Sequence, residues 1–228
     1  MAEQNLNTAE KFLIMAHHPE KGRFIISSLF IQYGITGAIL LDMTNEGRIN
    51  MEDKRLLLKT VKMPSDAIES DIVTLMSQSD RPRKTEYWVR KLAARYTRYK
   101  REILKGLEEK RIVRMEEKKF LGIIPYRQSY LIESYTRNNI IHQLKNDILD
   151  ARGASGDNIS LAGLVEACRM YRILSSDRDE LKMIRTQVKK IIKDSPVSDV
   201  VVQTIRQIQV AIISSVTAAT IAASAGRH

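Results

Sequence analysis

Apolar residues recur at helical spacing along most of this chain, and the exceptions are short and local. Residues 6–16 (LNTAEKFLIMA) predict an amphipathic helix with Thr8 near its cap. A Pro/Gly loop, HHPEKGRF, follows. Residues 24–33 (FIISSLFIQY) predict a second helix and GITGAILLDMTNEGR a third, in which Gly34 and Gly37 allow close packing and Gly47 ends the helix. RINMEDKRLLLKTV alternates around a polar turn at Glu52-Asp53, which predicts a short hairpin. Ile68, Ile72 and Leu75/Met76 mark a helix over 65–79. Thr85 is expected to cap a helix running through Arg95, with another from Tyr96 to Lys110. Two β-rich runs flanking Gly122 and Pro125 then predict a second hairpin or a strap-like loop.

From there the pattern is helical again, over 136–150, 159–174 and 178–193. Pro196 sits where a first turn starts and introduces a last helix, 197–224, expected to be buried against the others. Its apolar run after Gln209 is about 16 residues, short of the roughly 20 that span a bilayer. A core helix is therefore the expectation, with a membrane-contacting helix as the alternative. The one linker candidate, ARGASGDN (151–158), has the same helical style on both sides. The expected fold is mostly α: one compact helical domain over 1–228 with small β-hairpins.

Composition narrows the chemistry. With 228 residues and 43% hydrophobic content the chain can bury a real core and is no disordered polycation. A single cysteine, Cys168, excludes an intramolecular disulfide and suits a reducing cytoplasm; its apolar helical setting reads as a small buried hydrophobe. The N-terminus has neither basic region nor apolar stretch of a signal peptide, so a cytoplasmic location is expected. His17-His18 lack a ligand spacing with a third partner, so no metal is expected. Gly34-Ile-Thr-Gly37 lies inside an apolar helical stretch and reads as helix packing. No nucleophile motif, phosphate loop or paired carboxylate occurs, so neither a cofactor nor an enzyme activity is expected.

Charge supplies the positive signal. Residues 81–119 hold fifteen Lys and Arg against six Glu, a net of +9 there against +10 for the whole chain. Such a field favours polyanions. In this stretch Trp88, Leu92 and Tyr99 interleave with Arg90, Arg98, Lys100 and Arg101. On a helix Arg98, Arg101 and Lys105 share a face, opposite Ile103, Leu104 and Leu107. The bland alternative is a solvated basic face over aromatic packing. A helix followed by two β-rich runs (97–132) also reads as a winged-helix element, which makes a DNA-binding regulator the competing function; no helix-turn-helix pair is evident before it.

Several segments, taken in order, resemble the Golgi phosphoprotein 3 family. They are EKFLIMA, then GRFIISSLFIQYGITGAILLDMTNEGRI with Gly34, Gly37, Leu40, Leu41, Asp42, Gly47, Arg48 and Ile49. EYWVRKL around Trp88 follows, then REILKGLEEKRIV, KKFLGIIPYRQSYLI and VQTIRQIQVAIISSVTAA. The resemblance implies a mostly helical domain that binds membranes peripherally. Eukaryotic members recognise phosphatidylinositol 4-phosphate and act as adaptors for protein cargo. By this alignment the family's headgroup-binding tryptophan falls on Ser27 and its arginines on Thr36, Thr97 and Lys100. Only Lys100 keeps the charge, with Arg98 and Arg101 beside it and Arg23 near the lost aromatic. The expected site is therefore Arg23, Ser27, Thr36, Arg90, Thr97, Arg98, Lys100 and Arg101, with a looser preference for anionic phospholipid. The start so close to the domain, without a basic extension, fits a compact bacterial-type member and argues against coat-protein recruitment. In the family the hairpin mediates self-association. Here Phe120, Leu121, Ile123, Ile124 and Tyr126 are the expected homo-oligomer or membrane contact.

Overall fold

In the computed structural model, which describes residues 5–60, 64–121, 123–150, 156–194 and 199–225, the first helix is α1 (Thr8–Ala16). Its cap is Asn7 rather than Thr8: Asn7 Oδ1 accepts the Glu10 amide at 2.8 Å and the Glu10 carboxylate accepts the Asn7 amide at 3.1 Å. The two helices predicted over 24–48 are one, α2 (Ser28–Asn45), entered from an extended segment and capped by Ser27. Gly34 and Gly37 mark packing contacts and not a break. A Cβ on Gly34 would stand 2.2 Å from the Phe12 ring, and one on Gly37 2.7 Å from Ile208. Gly47 does end the helix, at φ +69°. Its amide reaches Thr44 O (3.0 Å) and that of Arg48 reaches Met43 O (2.9 Å), the paired bonds of a left-handed helix stop.

The first hairpin forms as expected, β1 (Ile49–Glu52) against β2 (Arg55–Leu58). Its turn lies one residue later than predicted, on Asp53-Lys54, both at positive φ (47° and 61°), as a two-residue hairpin turn requires. A third strand, β3 (Arg83–Lys84), extends this sheet beside β2; two residues are too few to show alternation. Between them α3 (Ala67–Ser77) is capped by Asp66, which accepts the Ile68 and Glu69 amides. Next come α4 (Thr85–Ala93) and α5 (Tyr96–Glu109). Thr85 is the first helical residue of α4 and caps nothing; its hydroxyl reaches back to Lys54 O at 3.4 Å.

Residues 113–131 form a long antiparallel hairpin, β4 (Val113–Phe120) and β5 (Ile124–Leu131), registered from Val113–Leu131 to Phe120–Ile124. Four helices follow: α6 (Tyr135–Leu149), α7 (Gly156–Ala167), α8 (Arg178–Asp194) and α9 (Asp199–Ala225). The helix predicted over 159–174 stops at Ala167 and resumes as one 3-10 turn, Tyr171–Ile173. Arg169 supplies the stop, at φ 56° with Met170 N bonded to Val165 O (2.8 Å). Arg111 does the same after α5. Arginine at a left-handed position gives no sequence signal, whereas glycine does.

The fold is mostly α, with nine α-helices and two small antiparallel sheets among the described residues. At its centre α2 packs on α1, α4, α7 and α9. Phe12, Ile35, Leu40, Trp88, Leu92, Leu164 and Ile212 are all buried in one continuous cluster. Cys168 lies in it too, its thiol pushed up by burial. The expectation for the last helix holds only for its first half. Val202, Ile205, Ile208, Ala211 and Ser215 form the buried stripe; from Val216 to Ala222 no residue is buried, and Ile221 is 62% exposed. Val202–Ala222 is long and apolar enough to cross a membrane by length and composition, yet its buried stripe packs on α2, α4 and α7. Pro196 and most of the predicted linker (151–155) lie outside the described residues.

Candidate functional site

The loop from His17 to Ser27 is held from three sides. His17 and Phe24 form an isolated antiparallel bridge, with their rings edge to face at 5.1 Å. His17 is buried; its Nε2 lies 3.0 Å from Ser129 Oγ on β5, and its Nδ1 lies 3.0 Å from His18 O. Burial holds this imidazole below its ordinary pKa. Gln128 donates to Gly22 O at 2.7 Å, where a side chain on Gly22 would meet Gln128 at 2.5 Å. His17 fastens the loop to the hairpin, whereas His18 Nδ1 accepts the Glu20 and Lys21 amides inside the loop, both at 3.1 Å; no group of acidic, histidine and cysteine side chains able to hold a metal occurs among the described residues.

Lys100, on α5, leans over this loop. Its ammonium sits 5.9 Å from the Phe24 ring and 5.6 Å from that of Tyr96, a cation–π arrangement that fixes the charge without neutralising it. Exposed Arg23 is next to Phe24 in the chain, and exposed Ser27 caps α2 by accepting the Phe30 amide at 3.5 Å. Thr97 and Arg101 are exposed and lie on the Lys100 flank of α5 by helical spacing. The structure thus brings Lys100 to the Arg23–Ser27 segment, with Thr97 and Arg101 alongside.

The other expected residues lie elsewhere. Thr36 is fully buried two turns into α2, its hydroxyl donating to Gln32 O at 3.0 Å. Arg98 turns to α3, where Asp71 Oδ1 accepts from Arg95 (2.7 Å) and Arg98 (3.1 Å) and Oδ2 accepts the Tyr99 hydroxyl (2.6 Å). Arg90 lines a separate groove of about 560 Å³ with Lys84, Glu86, Tyr87 and Lys91.

Part of the basic stretch is compensated by carboxylates. Arg101 approaches Glu102 at 3.7 Å, Lys105 approaches Glu109 at 3.9 Å, and Arg114 and Lys118 share Glu116. Lys110 donates to both oxygens of the buried Glu10 at 2.7 Å. Eight of the fifteen cations, Arg90, Lys91 and Lys100 among them, make no ion pair among the described residues, and only Asp71 and Glu10 bring carboxylates to the stretch from outside it.

The hairpin end is apolar and open to solvent. Leu121 and Ile123 are 79% and 80% exposed, and Ile124 and Tyr126 follow at 59% and 44%. Phe120 closes the ladder opposite Ile124 through its backbone. Along one face of the hairpin Lys118 donates to the Tyr130 hydroxyl, and Arg114, opposite Tyr130 near the base, lies over its ring.

One cation escaped the sequence reading. Arg137, in the first turn of α6, is 91% buried by its 9% exposure, and its Nε has no hydrogen-bond partner. Burial lowers its pKa, and its charge is felt at His17. An arginine within a polar helical stretch gives no sequence signal of burial; the packing of α6 on α1, α7 and α8 is tertiary. A search of curated proteins finds no match to the chain. The family model described as Golgi phosphoprotein 3 (GPP34) matches residues 8–208, from α1 into α9 and through every element around this site, so the chain belongs to the Golgi phosphoprotein 3 family.

Proposed function

We propose that this protein is a peripheral membrane protein, acting on the cytoplasmic side as a non-enzymatic adaptor, that binds anionic phospholipid through Lys100, Arg23, Thr97 and Arg101. Residues 1–228 act as one domain in this reading. Family membership over 8–208 carries it. The uncompensated Lys100 charge held over the Phe24 ring supports it locally. Ser27 and Thr36 stand where family members have a tryptophan and an arginine, so the headgroup contact is electrostatic and undemanding, and phosphatidylinositol 4-phosphate is one of several ligands it accepts. Each basic residue near an anionic surface contributes about 1 kcal/mol, so three or four suffice for reversible binding. The apolar hairpin end serves as a second contact, either to another copy or to lipid, and a protein cargo would be recruited to the membrane-bound form.

Vesicle sedimentation tests the reading. The protein pellets with vesicles containing anionic lipid and stays in solution with neutral ones. Lys100→Glu combined with Arg23→Glu abolishes pelleting. Equal binding to neutral vesicles, or none to either kind, overturns it.

A second reading has one observation behind it. The short step from α4 to α5 at Ala94-Arg95, followed by a hairpin, has the order of a winged helix. In this chain β3 pairs with β2 and not with the hairpin. A gel shift with duplex DNA at physiological salt separates the two: a DNA regulator binds tightly and with steep salt dependence.

A further inference from the structure

Away from α4 and α5, the 3-10 turn and α8 enclose a groove of about 400 Å³ lined by Arg172, Arg178, Lys182, Arg185 and Lys189. Leu181 and Thr186 complete the lining, and no acid does. On α8 the cations stand at i, i+4, i+7 and i+11, one face of the helix, over a rise of about 16 Å. Their charge is uncompensated: among the described residues none of the five makes an ion pair. The acids of the first turn are no help, since Glu180 is taken by Lys145 at 2.6 Å and Asp179 lies a residue round from the cationic face. Arg178–Lys182 and Arg185–Lys189 are like-charge i, i+4 pairs, which destabilise a helix. The Arg185 guanidinium is braced over the Tyr171 ring at 5.2 Å, which limits its escape from its neighbours.

We propose that this groove is a second anion site, distinct from the Lys100 face, that takes a multiply phosphorylated ligand. Arginine forks chelate phosphate oxygens in pairs, and three arginines converge here. The volume exceeds that of one phosphate and is within the range of small-molecule sites. The lining has no aromatic ring for a base and a single aliphatic side chain for an acyl chain. Charge is therefore what it recognises, whether on a phosphorylated lipid headgroup or on a soluble phosphate ester.

Calorimetric titration of the full chain with inorganic triphosphate at low salt tests this. The wild type binds. Lys182→Glu with Lys189→Glu weakens binding at least about tenfold, and Lys100→Glu with Arg23→Glu changes it less than about twofold. Arg23, Lys182 and Lys189 are exposed and Lys100 is half-buried, and unchanged melting temperatures show that both variants fold. No binding by the wild type, or equal losses in the two variants, overturns the site. Neutral vesicles doped with a phosphatidylinositol bisphosphate then distinguish the ligand's source. If the α8 variant loses vesicle binding, the ligand is a headgroup; if it loses only triphosphate, the ligand is soluble. Failure of the proposed membrane function reads differently, as binding to vesicles of singly charged anionic lipid that the Lys100 variant leaves intact.

Discussion

Asp71 governs more of the basic surface than any arginine does. A single carboxylate accepts from Arg95, Arg98 and the buried Tyr99 hydroxyl, and so ties α5 to α3. Asp71→Asn should have opposite effects on two measurements. Stability falls by about 1–3 kcal/mol, because hydrogen bonds to a charged partner are lost and the Tyr99 hydroxyl is left buried. Binding to anionic vesicles rises, because Arg95 and Arg98 are released. Chemical denaturation and sedimentation read the two; a loss of both would mean that Asp71 is purely structural. A second residue-scale effect concerns pH. Asp42 accepts the Thr8 and Ala9 amides at 2.9 and 3.1 Å, yet burial outweighs these bonds and pushes its pKa from 3.8 up to about 6. Burial and then the nearby Glu46 push Glu69 up to about 7, against the pull of Arg48. A carboxyl with a raised folded-state pKa binds its proton more tightly when folded. Its stabilisation is complete below the ordinary pKa and is lost as pH rises, between about 4 and 6 for Asp42. His17, held low, acts the other way, costing stability as pH falls below its ordinary 6.5. The clean measurement is therefore a difference. From pH 4 to pH 7 the wild type should lose more stability than Asp42→Asn, by at most about 3 kcal/mol at ~1.4 kcal/mol per unit. Parallel pH profiles would exclude Asp42 as the source.

At the scale of elements, the crossing of α1 over α2 and the projecting hairpin have different origins. Gly34 exists for the crossing: the Phe12 ring occupies the space of its missing side chain. Gly34→Ala should destabilise by about 1–3 kcal/mol through overpacking, although alanine favours helix. A stabilised variant would show that Phe12 simply moves. The hairpin projects because its strands pair with each other rather than with another sheet. Exposed Leu121, Ile123 and Ile124 are costly in a free monomer. Ile123→Ser with Ile124→Ser should lower the mass seen by light scattering if copies meet there. A monomer throughout, with vesicle binding lost, assigns the end to lipid. If neither mass nor vesicle binding changes, the hairpin makes neither contact.

For the whole molecule, the balance of charge and apolar contact decides how membrane binding responds to salt. The net +10 resides in cations without a carboxylate partner, among them Lys100 and those of the α8 groove. Surface electrostatics screen over about 10 Å at 0.1 M salt and about 3 Å at 1 M. Vesicle binding carried by Lys100 and its neighbours should therefore drop at least about tenfold between those limits. Binding that stays flat would mean that the hairpin end, not charge, holds the protein at the surface.

Local chemistry made much of this protein legible from sequence alone. The helices over 6–16, 65–79 and 178–193, the hairpin around 53, the stop at Gly47 and the buried Cys168 follow from periodicity, turn residues and hydrophobicity. So did the family, whose short motifs recur in order. What failed was decided by contacts distant in sequence or by unusual residues. Two predicted helices fused because Phe12 and Ile208 fill the spaces that Gly34 and Gly37 leave. A third was cut because Arg169 accepts a conformation usually left to glycine. At the site, sequence could count charges but could not pair them. Tertiary packing set Asp71 against Arg98, buried Thr36 and Arg137, carried Lys100 onto the Phe24 ring, and left the α8 cations without partners. A charge's effect depends on the groups within a few ångströms of it, and the fold alone decides which those are.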